Sequence, residues 1–208
     1  MAAAQGFTEV YNYSFLSETL AERFGFPREE HIQVLNPIAS DQGLLRVSLT
    51  PRIVQNIEDN ARHMDSFRLF ETGNEIHKRA GSEDGLPEEI PHLAAAIFAK
   101  EGDGQAGLFE LKRLAEILAP GVKVSAAAGA RCFEHPRRVW TLESHGEAVG
   151  RVFELHPSWC EHGRGAILDL DLAVLFRLRP EPVKHKPLRR FPVSEFDLSV
   201  ITGVRVEV

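Results

Sequence analysis

The stretch LLRVSLTPRIVQNIEDNARHMDSFRLFETGNEIHKR, Leu44 to Arg79, decides how the rest of the chain reads. Its first half predicts a helix. Thr50 is a suitable N-cap, and Pro51 suits the first helical position, where a missing N–H costs nothing. Ile53, Val54, Ile57 and Ala61 then share one face, with Arg52, Gln55, Glu58 and Asp59 opposite. Arg62 and His63 close the last turn, where positive charge suits the helix dipole. The segment SFRLFETG follows as a half-buried strand, with Phe67 and Leu69 alternating with Arg68 and Phe70 and Gly73 at its end.

Working outward, Phe7 to Phe15 (FTEVYNYSF) is rich in aromatic and β-branched residues and reads as a strand. Ser17 caps a short helix carrying Leu16, Leu20 and Phe24 at helical spacing. Ile32 to Leu35 reads as a short strand broken by Asn36-Pro37, His77 to Pro91 as a mobile polar loop, and His92 to Phe98 as a buried strand. Leu108 to Leu118 is a helix ended by Pro120-Gly121. Val139 to Leu155 is a hairpin turning at His145-Gly146, and Ala166 to Asp171 is a further strand. From Leu178 to Arg190 the chain becomes proline-rich and basic, as in a linker, and the last residues read as strand-forming. The implied architecture is α+β, an antiparallel sheet flanked by helices. Residues 1–178 form one domain, and 179–208 form a linker plus the first strand of another.

Composition narrows the class. At 43% hydrophobic and 26% charged the chain is globular, and a net charge of −6 excludes bulk attraction to nucleic acid, so any RNA contact is local. Two cysteines, Cys132 and Cys160, fit a reducing compartment, and no apolar run approaches ~20 residues; the expected location is cytoplasmic.

The central stretch resembles class II aminoacyl-tRNA synthetases. Leu45, Arg46 and Ser48, then Phe70, Glu71 and Gly73, look like that family's Leu-Arg-x-Ser and Phe-Glu-x-Gly runs. Gly6, Phe7, Glu9 and Val10 resemble the motif 1 strand, with Tyr13 in place of its proline. The order of GFTEVYNYSF, LNPIASDQGLLRVSLTP, RLFETG, LKRLAEIL, FEHPRR, AVGRVFELHP and RRFPVSEFDLSV is similar to the catalytic-like module of the bacterial phenylalanyl-tRNA synthetase β subunit. The resemblance implies a degenerate class II core that docks on the catalytic α subunit within a heterotetramer charging tRNA(Phe). It also implies that 179–208 opens a ferredoxin-like anticodon-binding domain, although the family's Arg-Arg-Asp there is Glu195-Phe196-Asp197.

The phosphate clamps depart from the family. Its motif 2 arginine falls on His77 and its glutamate on Arg79; at the Glu-Arg of motif 3 stand Asp171 and Leu172, although Gly163 and Gly165 remain. Class II chemistry needs that positive charge at the α-phosphate, so no catalytic residue is expected here. ATP and Mg²⁺ belong to the whole enzyme and no cofactor to this segment. His156, Cys160 and His162 in HPSWCEH invite a metal reading, but lack zinc-ligand spacing and read better as a turn capping a strand. Phe7, Tyr11, Tyr13 and Phe15 are the candidate subunit-interface residues. Arg137, Arg138, Lys184, Lys186, Arg189 and Arg190 are candidate tRNA or phosphate contacts, with surface solvation or a charged linker as the competing reading. An RNA-binding accessory module and a small-molecule enzyme using a relic pocket are the alternative functions.

Overall fold

A computed structural model describes residues 1–39, 41–78, 86–178, 197 and 199. In chain order its strands and α-helices are β1 (Thr8–Glu9), β2 (Phe15–Leu16), α1 (Glu18–Arg23), β3 (Leu44–Leu45), α2 (Thr50–Asn60), β4 (Ser66–His77), β5 (Glu88–Ala99), α3 (Gln105–Leu118), β6 (Lys123–Ala126), β7 (Glu134–Ser144), β8 (Glu147–Leu155), β9 (Arg164–Asp171) and α4 (Leu172–Arg177). One seven-stranded sheet carries the order β1-β4-β5-β9-β8-β7-β6. Every pairing in it is antiparallel except β1 with β4, which is parallel.

Strand alternation divides the core into two layers. Phe67 and Leu69 of β4, Ala94, Ala96 and Phe98 of β5 and Ile167 of β9 face one side, where Ile53, Val54 and Ile57 of α2 and Leu20 of α1 cover them. Leu93, Ala95 and Ile97 of β5 and Leu168 and Leu170 of β9 face the other side, under Leu108, Leu111 and Leu114 of α3. Ala94, Ala95 and Ala96 are wholly buried, and their small side chains let helices close on the central strand from both faces. The β7–β8 hairpin turns at His145 (φ 52°) and Gly146 (φ 84°). Two successive positive φ values give the primed turn that matches strand twist.

Several expectations are corrected. Phe7 to Phe15 is not one strand: only Thr8–Glu9 and Phe15–Leu16 pair, in different sheets. Ile32 to Leu35 contributes a single bridge, Gln33 to Leu44. The loop expected over 77–91 is shorter, because His77 ends β4 and residues 88–91 already pair with that strand. Thr50 is the first residue of α2 rather than its cap. The backbone N–H of Leu49 donates instead to Glu75 Oε1 at 3.2 Å, and that of Thr50 to Ser48 Oγ at 3.2 Å. A carboxylate reaching across from the sheet therefore satisfies the helix start and complements its dipole. Ser17 caps α1 as read, its Oγ accepting from Leu20 N–H at 3.1 Å.

Lys184, Lys186, Arg189 and Arg190, the linker, the expected anticodon-domain strand and Arg79 lie outside the described residues, apart from Asp197 and Ser199.

Candidate functional site

The Leu-Arg-x-Ser and Phe-Glu-x-Gly segments meet in one buried network. Arg46 precedes α2 and Glu71 lies mid-strand in β4, and both side chains are buried. Arg46 Nη1 donates to Glu71 Oε1 at 2.6 Å, and Arg46 Nε donates to the Asn74 carbonyl at 2.9 Å. The backbone joins in: Ile76 N–H donates to Arg46 O at 2.8 Å, and Arg46 N–H to Ser14 O at 2.9 Å. Gly73 is required here by space, since a Cβ on it would stand 2.2 Å from Arg46 Nη2. These residues thus lock the helix entry to the sheet and are used internally.

The free oxygen of Glu71 anchors the amino-terminal segment. Asn12 Nδ2 donates to Glu71 Oε2 at 2.7 Å, and its side-chain oxygen accepts from Asn56 Nδ2 of α2 at 3.2 Å. Asn12 is therefore held inward, which breaks the strand expected across it. The residues on either side stand in solvent, Tyr11 at 93% exposure and Tyr13 at 72%. Leu35 (94%) and Ile38 (96%) are also exposed, and a cleft formed by Phe15, Val34, Asn36, Pro37, Ile38 and Gln42 lies beside the same segment. Tyrosines tolerate water through the phenol and still offer a large apolar ring to a partner. Of the four candidate interface residues, Tyr11 and Tyr13 are exposed and Phe15 is half-buried. Phe7 belongs to this chain's own core beside Phe70 and Leu93, and so offers no free ring to a partner.

The end of β4 and the neighbouring strands hold a polar cluster. Glu75 and His77 on β4, His92 on β5 and Asp169 on β9 share one face of the sheet, and Asp171 is the register partner of His92. His92 Nδ1 lies 2.8 Å from Asp169 Oδ1, and His92 Nε2 lies 3.4 Å from Glu75 Oε2. Burial raises the Glu75 carboxyl above its ordinary value, with the Asp169 charge adding to it against the histidines. For His92 burial pulls downward, but the hydrogen bond and charge of Asp169, together with Glu75, raise it overall. His77 thus lies beside the Glu75 carboxylate, its Nε2 3.5 Å from Glu75 Oε2. At the motif 3 position Asp171 caps α4, its Oδ1 accepting from Val174 N–H at 2.9 Å, and Leu172 begins the helix.

Arg137 is exposed, as a candidate phosphate contact must be, whereas Arg138 is committed internally. Its Nη1 donates to Glu154 Oε2 at 2.6 Å, and the Glu154 side chain is almost wholly buried. That carboxylate also raises the Arg138 pKa, so this guanidinium is a structural counter-ion. His156, Cys160 and His162 do not converge. His156 Nδ1 pairs with Ser158 Oγ at 2.7 Å within a capped turn, and His162 is exposed. Burial pushes the Cys160 thiol up to about 11. Sequence reasoning missed Glu75, His92 and Asp169 as a group, because strand register brings them together across separations of up to 94 positions.

Among the described residues no helix is long and apolar enough to cross a membrane. Comparison with known proteins accords with this geometry. The family model described as the phenylalanyl tRNA synthetase beta chain CLM domain matches residues 1–167. The phenylalanine–tRNA ligase beta subunit of Solibacter usitatus (strain Ellin6076) is 56% identical over 200 residues, covering 96% of this chain and 26% of that protein. The corresponding subunit of Pseudomonas putida is 31% identical over 222 residues, covering 98% of this chain and 27% of that protein. The chain therefore spans about a quarter of the length of these curated relatives. Among solved structures, a pyrrolysyl tRNA synthetase, PylSc of Desulfitobacterium hafniense, matches with a TM-score of 0.64 at 14% identity, over 84% of this chain and 63% of that one. At that identity the likeness shows the fold, an α+β sheet of the class II synthetase kind. With its locked Leu-Arg-x-Ser and Phe-Glu-x-Gly segments on that sheet, the chain belongs to the phenylalanyl-tRNA synthetase β-chain CLM domain family.

Proposed function

We propose that this chain is a non-catalytic structural module that assembles with the catalytic α subunit of a phenylalanine–tRNA ligase and props it during charging of tRNA(Phe) in the cytoplasm. The observation that carries the proposal is the division of labour around Glu71. The motif residues bind one another, and the same network holds Tyr11 and Tyr13 out into solvent. A surface of exposed aromatics on a fixed backbone is suited to docking, because little order is lost on binding. Tyr11→Ala or Tyr13→Ala is expected to weaken association with the α subunit by ~1–2 kcal/mol while leaving the melting temperature of the isolated chain in place. Sharp destabilisation by both would assign these rings to the core and the interface to another face.

The module needs no cofactor for this role, and ATP with Mg²⁺ is proposed to act on the α subunit. His77 and Leu172 stand where phosphate chemistry wants arginines, and His77 Nε2 lies 3.5 Å from Glu75 Oε2, so the side chain at the first of these positions is turned to a carboxylate of its own chain. Pyrophosphate exchange by the purified chain with phenylalanine and ATP is expected to stay at background. Exchange above background from the chain alone would refute the non-catalytic reading. Contact with tRNA is proposed to run through the whole assembly, with Arg137 as this domain's exposed candidate.

A further inference from the structure

His92 meets a carboxylate at each of its ring nitrogens. Nδ1 lies 2.8 Å from Asp169 Oδ1, a hydrogen bond, and Nε2 lies 3.4 Å from Glu75 Oε2, an ion-pair separation. The side chains of Glu75, His92 and Asp169 are only 7%, 13% and 14% exposed, so water satisfies little of the group. A neutral imidazole carries one N–H and would turn a bare lone pair to the second carboxylate. The imidazolium donates at both nitrogens and suits both neighbours.

The three residues come from separate strands, β4, β5 and β9, and Glu75 extends the connection further. Its other oxygen, Oε1, accepts from the Leu49 N–H where α2 begins. Among the described residues, the charges acting on His92 are Asp169 and Asp171 of β9 and Glu75 of β4, and His77 acts through Glu75. The charges of the other elements are directed elsewhere. Arg46 and Glu71 pair with each other, and α4 turns Arg177 to Glu147. Helix α2 turns Arg52 to the Phe15 carbonyl and Glu58 to Arg23, with Asp59 near its far end. Helix α3 covers the opposite face of the sheet, where Glu110 pairs with Arg68. His92 is thus the cation common to Asp169 and Glu75.

We propose that His92 is a pH-sensitive latch: charged, it holds β4 and β9 to β5 and steadies the start of α2, and on losing its proton it releases that end of the sheet. Burial opposes the charge on His92, but the hydrogen bond and charge of Asp169, with the charges of Glu75 and Asp171, outweigh it and raise His92 above its ordinary value. The folded chain therefore holds this proton more tightly than the unfolded chain. The stability so conferred is full below the ordinary histidine value of about 6.5 and is lost as pH rises through the folded value. Glu75, raised chiefly by burial, acts with the same sign from its own lower starting value. Once His92 is neutral, two shielded carboxylates lack their shared counter-ion, and hydrating them opens this corner and frees the Leu49 N–H. The latch is a property of the folded domain and is independent of the assembly role proposed above.

The test uses the 208-residue chain. NMR follows the histidine ring nitrogens, while hydrogen exchange at the Leu49 amide and urea unfolding are read between about pH 6 and about pH 9. His92 is expected to titrate above the ordinary histidine value, with both ring nitrogens protonated below its midpoint. Protection of the Leu49 amide, corrected for intrinsic base catalysis, is expected to fall about tenfold or more, the change that one unit of pKa difference produces. The urea midpoint should fall over the same range, a fall lost in His92→Gln and kept in the control His63→Gln, at an exposed position. Asp169→Asn should lower the His92 midpoint, and if His92→Gln does not fold, this variant and the wild-type titration decide. Three results would overturn the proposal: titration of His92 at or below the ordinary histidine value, Leu49 protection indifferent to pH, or an undiminished fall in folded His92→Gln.

Discussion

Glu71→Ala is expected to lower the stability of the isolated chain by about 3–5 kcal/mol, read by urea denaturation. The cost arises from what is left behind. Arg46 is buried and gives its Nη1 hydrogen bond to Glu71, so removal of the carboxylate strands a guanidinium where water does not reach. The same substitution frees Asn12, and with it the segment that carries the two exposed tyrosines. Glu110→Ala is the control, since its pair with Arg68 is about half exposed on both sides and should be worth less than ~1 kcal/mol. Equal small losses from both substitutions would mean that the Arg46–Glu71 pair is not the lock described above.

Arg138→Ala is expected to cost about 3 kcal/mol, while its neighbour Arg137→Ala should stay within about 0.5 kcal/mol. The two adjacent arginines look alike in the sequence, and both read as candidate phosphate contacts. Strand alternation separates them. Arg138 meets the buried Glu154 carboxylate from β8, and its loss leaves that charge uncompensated. Arg137 lies in solvent. Thermal or urea unfolding of the two single variants reads the difference, and similar stabilities would remove the structural role given to Arg138.

Much of the fold was legible because it is encoded locally. The apolar face Ile53, Val54, Ile57 and Ala61 is buried as its helical spacing requires, and His145-Gly146 adopts the turn its residue types favour. The failures share a cause, which is that a distant group overrode local preference. Thr50 has the chemistry of an N-cap, but Glu75, which follows it by 25 positions, satisfies the helix start from the sheet. Phe7 to Phe15 has strand composition, but Glu71 captures Asn12 and interrupts it. The His92–Asp169 contact joins residues 77 positions apart and exists only through the β5–β9 register. What a sequence cannot display is which side chains such registers bring together, and at this sheet face those side chains are the candidate site.

Sedimentation velocity of this 208-residue chain mixed with the α subunit, each also run alone, tests the central claim most directly. The predicted result is a faster-sedimenting complex containing both chains, present with wild-type protein and diminished by Tyr11→Ala and Tyr13→Ala. Unchanged, separate boundaries at micromolar concentrations of both folded chains would contradict assembly through this module.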